Sequence, residues 1–164
     1  PNAEGAIWFA KECWPLLKER ANQMEFHFIG SNPPTELVEL HNGKNMFVHG
    51  FVSDIDEFWR NSDVFIVPLR SGGGIRIKII EALRAGIPVV TTHKGCEGFP
   101  YEDRIDLLIA DDPNDFVNNI IRLCEDLELR KSLSKNGKAL IEQYFTPSQI
   151  GERKIYIYKA VLES

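Results

Sequence analysis

Short runs of consecutive apolar residues, each closed by glycine or a small polar loop, recur between stretches whose apolar positions fall at helical spacing. Residues 26–30 (Phe-His-Phe-Ile-Gly) and 45–49, closed by Gly50, read as two strands. Residues 63–68 form a continuous apolar strand, the pattern of a parallel strand covered on both faces. Residues 87–91 and 107–110 give two more. Between them lie predicted helices. Asn2 is expected to cap one that buries Ala6, Phe9, Ala10 and Cys13, and Pro15 should kink or restart it. Thr35 to Leu40 predicts a short helix, and Ser53 should cap another carrying Ile55, Phe58 and Trp59. A helix from about Ile75 to Ala85 ends at Gly86. Asp112-Pro113 opens a helix with Phe116, Ile120, Ile121 and Leu123 inside, and a further run reaches about Tyr144. Thr146-Pro147-Ser148-Gln149 is a full start signal for a closing helix presenting Ile150, Ile157, Tyr158, Val161 and Leu162. Alternating strands and helices predict an α/β fold, a Rossmann-like parallel sheet with helices on both faces. Ligands of such folds sit at the carboxyl ends of the strands, which selects the loops after Ile29, His49, Val67 and Thr91.

Composition narrows the picture further. The 164 residues are 43% apolar and 26% charged, a single-domain globular composition with no apolar run long enough to span a membrane. Nineteen basic against 24 acidic residues give a net charge of −5, which disfavours nucleic acid as a partner. Cys13, Cys96 and Cys124 are widely spaced and read as reduced, buried thiols. The opening Pro1-Asn2, without a start methionine, reads as an internal boundary, so the chain is expected to be a fragment of a larger protein.

The strongest chemical signal runs from Pro68 to Val90. Gly72, Gly73 and Gly74 let backbone N–H groups approach a ligand closely, and a helix N-terminus behind them favours a phosphate. Gly74, Lys78 and Glu81 are expected on one helical face, with Glu81 about 10 Å beyond the glycines, where a carboxylate could accept from both hydroxyls of a ribose. The competing reading is a flexible turn followed by a solvated ion-pair ladder of Lys78, Glu81 and Arg84; the residues alone weigh the two about evenly. The loop lacks the Walker ending and the G-x-G-x-x-G spacing.

The pattern Gly74-x-x-x-Lys78-x-x-Glu81-Ala82-Leu83-x-Ala85-Gly86-x-Pro88-Val89-Val90-x-Thr92 resembles the nucleotide-sugar motif of group 1 retaining glycosyltransferases, in the C-terminal half of their GT-B fold. Pro1-Asn2-x-Glu4-Gly5, Trp8-Phe9, Gly50-Phe51-Val52 and Gly95-x-Glu97-Gly98 extend the likeness over nearly the whole chain. The resemblance implies a single donor-nucleotide-binding domain over residues 1–164, cut from a two-domain enzyme that moves a hexose from a nucleoside diphosphate sugar to a glycan or lipid acceptor in polysaccharide biosynthesis. It gives Glu81 the donor ribose and Gly72 to Gly74 the diphosphate, with Arg76 and Lys78 neutralising phosphate charge. Phe51 and Val52 would lie at the base, Gly30 would border the same cleft, and Glu97 would approach the sugar. No cofactor and no metal are expected, because no D-x-D pair follows a suitable strand.

Two departures from the family pattern stand out. The glutamate often found eight positions before the ribose-binding one is here Gly73. The family's first strand would precede Pro1, so a 3-2-1-4-5-6 sheet should be truncated at its centre. The acceptor domain is expected to be absent with it, and the catalytic groups it holds, so the fragment alone should transfer no sugar. The resemblance places the full protein in the cytoplasm, with peripheral association at the cytoplasmic face of the membrane as an open variant. A nucleotide-sugar 2-epimerase of the same architecture and a non-catalytic nucleotide-binding module remain the alternatives. His27, His41, His49 and His93 show no metal-ligand spacing, Cys96 has no activating neighbour in sequence, and Trp8, Trp14 and Trp59 read as packing residues.

Overall fold

The computed structural model describes residues 1–146. The closing helix, with its start signal beyond Thr146, lies outside the described residues. Five strands are present: β1 (Phe26–Ile29), β2 (Met46–His49), β3 (Phe65–Val67), β4 (Val89–Thr91) and β5 (Leu108–Ile109). All pairings are parallel. Among the described residues they form two separate sheets, β1–β2 and β3–β4–β5, with no ladder joining β1 to β3. That is the interrupted sheet expected from the strand order.

The helices are α1 (Asn2–Trp8), α2 (Trp14–Arg20), α3 (Thr35–Val38), α4 (Asp56–Asn61), α5 (Ile77–Ala85), α6 (Pro113–Glu125) and α7 (Leu127–Tyr144). They cover both faces of the larger sheet. Strand residues alternate between faces, and the two halves of the core divide accordingly. Val90, Leu108 and Ile66 face a cluster built from Phe9, Cys13, Trp14, Leu17, Phe116 and Ile120. Val67, Val89 and Leu107 face a second cluster of Ile79, Leu83, Leu140 and Ile141. Continuous apolar strands arise because neither face meets water.

Several local expectations are corrected. Asn2 does not cap the first helix: Pro1 holds the cap position and no side chain bonds there. Of the two outcomes expected at Pro15 it is the restart that occurs: a π turn over Phe9–Cys13 links α1 to α2, and Pro15 sits in the first turn of α2. A proline there removes no bond that the turn was making. Ser53 is not the cap of α4: Ile55 holds that position without a side-chain cap, and the Asp56 N–H donates to Asp54 Oδ1 at 2.8 Å. Helix α3 stops at Val38, and α5 starts at Ile77 rather than Ile75. Asp112 does cap α6, accepting from Asn114 and Asp115.

On the β1–β2 face opposite the core, three histidines gather. His27 Nδ1 and His49 Nε2 are 3.0 Å apart in a hydrogen bond, their rings are stacked, and Phe58 of α4 meets His49 edge-on. His41 Nδ1 accepts from the Val48 N–H, and Glu25 lies 3.6 Å from His27 Nε2. A bond between two ring nitrogens requires one of them to be unprotonated. Burial, then the neighbouring His27 and His41, holds the pKa of His49 below its ordinary 6.5. The folded chain therefore binds that proton more weakly than the unfolded chain, so this contribution to stability is full above about pH 6.5 and falls as the pH drops through the lowered value. Thermal melts between pH 7.5 and 5 should show a decline that His49→Gln reduces; an identical slope in the variant would remove the pair from the account.

Candidate functional site

The loop after β3 carries the site. Gly72 and Gly74 have φ of +93° and +84°, a region that strains any residue with a Cβ. A Cβ on Gly73 or Gly74 would meet nothing within 4 Å, so this loop offers bare backbone to open space. Arg76 follows in extended conformation, immediately before α5. Its Nη1 donates to the Gly73 carbonyl at 2.7 Å, while Nε and Nη2 are buried without a hydrogen-bond partner among the described residues. Buried guanidinium donors left unpaired are uncommon and costly. Nε and Nη2 form the edge that matches two oxygens of one anion.

Lys78, in the first turn of α5, donates to Asn2 Oδ1 at 2.7 Å. Burial, and then the Arg76 charge, push its pKa below the ordinary lysine value. Glu81 is exposed and makes no hydrogen bond or ion pair among the described residues. The ion-pair ladder of Lys78, Glu81 and Arg84 is therefore not formed. The expected common face needs correction as well: Gly74 precedes the helix, and only Lys78 and Glu81 ride on α5. Glu81 lies about 6 Å along the axis from Ile77, closer to the helix start than the sequence implied.

The first turn of α1 straps the glycine loop from the other side, a contact the sequence did not predict. Gly5 is buried, and a Cβ there would lie 2.5 Å from the Pro68 carbonyl oxygen. Glu4 accepts a short hydrogen bond from Ser71 Oγ, and Pro1 packs beside Gly72. The flanking Pro1-Asn2-x-Glu4-Gly5 was the signal available in the sequence. Each of its residues except the third touches the loop or its lysine.

The next strand loop also leans on this region. Thr91 Oγ1 donates to the Val67 carbonyl at 3.0 Å, and Thr92 Oγ1 donates to that of Leu69. Glu97 is exposed; its hydrogen bond and ion pair with Lys94, at 2.7 Å, hold its pKa below the usual value, and the Arg76 charge acts in the same sense. Gly98 approaches Ile75. Beyond it, His93 Nδ1 and Asp111 Oδ2 are 2.8 Å apart, and Asp111 Oδ1 accepts from the His93 N–H at 3.0 Å. Sequence reading left this pair unremarked, because the two lie on different strand loops.

Gly30, Phe51 and Val52 stand apart, at the carboxyl end of β1–β2. The Gly30 N–H donates to the Gly50 carbonyl at 3.3 Å, so these two loops adjoin. Phe51 is 80% exposed, an aromatic surface with no packing to explain it. No hydrogen bond or ion pair among the described residues ties them to the glycine loop. One surface hollow, of about 500 Å³, is lined by Ile121, Arg122, Glu125 and Leu127 and touches none of the candidate residues. The glycine loop lies instead on an open edge. No group of three metal-ligating side chains occurs among the described residues, and no described helix is long and apolar enough to cross a membrane. Burial pushes the thiol of Cys13 up to about 12 and raises those of Cys96 and Cys124, so none is an activated nucleophile.

Comparison with known proteins bears on these residues. The family model described as glycosyl transferases group 1 matches residues 1–126. An uncharacterized glycosyltransferase of Methanocaldococcus jannaschii is 31% identical over 152 residues, covering 86% of this chain and 43% of the relative. The N,N'-diacetylbacillosaminyl-diphospho-undecaprenol alpha-1,3-N-acetylgalactosaminyltransferase of Campylobacter jejuni is 29% identical over 157 residues, covering 93% of this chain and 41% of the enzyme. The chain thus spans about two fifths of either relative's length. Among solved structures, the C-terminal domain of a group 1 family glycosyl transferase from Francisella tularensis superposes with a TM-score of 0.73 at 16% identity, covering 90% of this chain and 82% of that one. An Anabaena protein solved in complex with UDP-glucose superposes with a TM-score of 0.72 at 19% identity, covering 91% of this chain and 45% of its own. The fold is that of the C-terminal domain of GT-B glycosyltransferases.

Proposed function

The chain belongs to the group 1 glycosyl transferases, and on that premise we propose that it forms the donor side of a retaining transferase, binding a nucleoside diphosphate sugar along the carboxyl edge of its strands. The observation that carries this reading is the glycine loop itself: bare backbone on one side, and on the other a guanidinium edge with no partner among the described residues. A diphosphate would supply the acceptor oxygens that Arg76 lacks, and Lys78 would add a second positive charge as the leaving group takes up negative charge. Glu81, exposed and without a partner among the described residues, would accept from the ribose hydroxyls; Phe51 and Val52 would lie at the base and Glu97 near the sugar. The reaction in this reading passes a hexose to a glycan or lipid acceptor in polysaccharide biosynthesis, and the Campylobacter jejuni relative, named for transfer of N-acetylgalactosamine to a diphospho-undecaprenol-linked sugar, supports the lipid-linked kind of acceptor. The proposal needs neither metal nor cofactor. It places the whole protein in the cytoplasm or at the cytoplasmic face of a membrane.

Calorimetry with UDP, GDP and ADP tests the assignment. Glu81→Gln keeps the size but not the charge of the acceptor and should weaken the preferred diphosphate roughly five- to thirtyfold. Lys78→Ala should weaken the diphosphate more than the corresponding monophosphate. Unchanged affinity in the first variant, or equal losses in the second, would return these side chains to ordinary surface roles.

The chain alone should transfer no sugar, since orienting an acceptor needs groups on the far side of the cleft. Radiolabelled nucleotide sugars incubated with lipid and glycan acceptors check this; robust turnover would locate a complete active site within these residues.

A further inference from the structure

Three neighbouring strands end in side chains that lock onto one another. Arg70 after β3 lies over the Trp8 ring at 4.9 Å and donates through Nη1 to the Asp111 carbonyl at 2.9 Å. Asp111 after β5 uses both carboxylate oxygens on His93 after β4, one on the backbone N–H and one on Nδ1. A carboxylate oxygen accepts, so the hydrogen sits on Nδ1, and in the neutral imidazole Nε2 is left as an acceptor. The imidazole is 70% exposed, and Nε2 has no partner among the described residues. Its loop is fastened to the end of β3 by Thr91 and Thr92, and Arg70 is the residue before Ser71 of the glycine loop. An acceptor is thus held on the loop after β4, the strand that pairs with the one leading into the glycine loop. Arg70 fixes the Asp111 backbone and the Asp111 carboxylate fixes the ring, so two successive contacts set the orientation of the imidazole.

We propose that His93 is a sugar-reading residue: its Nε2 accepts a hydrogen bond from a hydroxyl of the sugar attached to a diphosphate at Gly72–Gly74, and Asp111 positions the ring. This rests on the donor-site reading above and deepens it. β4 pairs directly with β3, so a group attached to a diphosphate at the loop after β3 need reach only one strand spacing, about 4.8 Å, to meet the loop after β4. A hydroxyl is the group that suits an acceptor nitrogen. No bond is made or broken by His93 in this role.

The test is calorimetry on the chain with UDP, GDP and ADP, each free and as its glucose, galactose and N-acetylglucosamine conjugates. His93→Ala should weaken the best conjugate roughly three- to tenfold while changing the free diphosphate less than about twofold. His93→Gln, which keeps an acceptor, should recover part of the loss. Asp111→Asn allows the ring to carry its hydrogen on Nε2, and should weaken the conjugate without adding to the loss in a double variant with His93→Ala. Melting temperatures of the variants separate these losses from unfolding. Equal losses for conjugate and free diphosphate, no loss at all, or additive losses in the double variant would overturn the assignment of His93. Absence of any nucleotide binding by the unaltered chain would instead overturn the donor site on which it depends.

Discussion

Phe9→Ala is expected to lower the unfolding free energy by about 3–5 kcal/mol, enough to leave a domain of ordinary stability marginal. The side chain is fully buried. Its ring lies 5.1 Å from Phe26 and 6.0 Å from Phe28 on β1, and 6.3 Å from Phe116 on α6. Among the described residues no strand ladder joins β1–β2 to β3–β4–β5, so the smaller sheet depends on such side-chain packing for its attachment. Truncating Phe9 removes apolar contacts on both sides at once and leaves a cavity between them. Chemical denaturation should show the lowered midpoint, and hydrogen exchange should show the β1–β2 amides losing protection before those of β4. Uniform loss of protection across both sheets would mean that the two are held together by something other than this ring.

Gly5→Ala should cost about 3 kcal/mol, at the upper end of what overpacking usually exacts, because the obstructing atom is backbone. The new methyl would sit 2.5 Å from the Pro68 carbonyl oxygen, and neither partner is a side chain that can rotate aside. Helix α1 would have to lift from the end of β3. Glu4 would then leave Ser71, and Asn2 would leave Lys78. The variant is therefore expected to lose nucleotide affinity together with stability, although Gly5 touches no candidate ligand-binding group. Differential scanning calorimetry with and without nucleotide separates the two losses. Normal stability in the variant would mean that α1 does not rest on Pro68 in solution.

Much of this was readable from the chain, and the rest was hidden for identifiable reasons. The segment from β3 through α5 to β4 announced itself because strand, glycine turn, amphipathic helix and Gly86 follow one another without a gap. Asp112-Pro113 gave the start of α6 for the same reason: a cap is a local event. The strap of α1 on the glycine loop joins residues 67 and 76 positions apart, and no periodicity reports such a contact. The Asn2 side chain, of a type suited to a cap, accepts from Lys78 instead. The helical pattern reaches back to about Ile75, but in the structure Arg76 is extended, its guanidinium reaches back to Gly73, and α5 begins at Ile77. His93 and Asp111, 18 residues apart on different loops, become partners only once β4 and β5 are parallel neighbours.

The π turn at Phe9–Cys13 sets the angular phase between the two ends of the first helical segment. Gly5, Phe9, Cys13, Leu17 and Ala21 are all buried, a ladder with a spacing of four. In an uninterrupted α-helix of 3.6 residues per turn, such a ladder drifts by about 40° at each step, or about 160° from Gly5 to Ala21. The wider turn takes up part of that drift, so Gly5 can face Pro68 while Leu17 still faces the core. The length of this segment is therefore a coordinate of the site. Removing one residue between Phe9 and Cys13 would turn α1 by about 100° about its axis, carrying Gly5, Glu4 and Asn2 away from the loop they hold, with every one of them still present in the sequence.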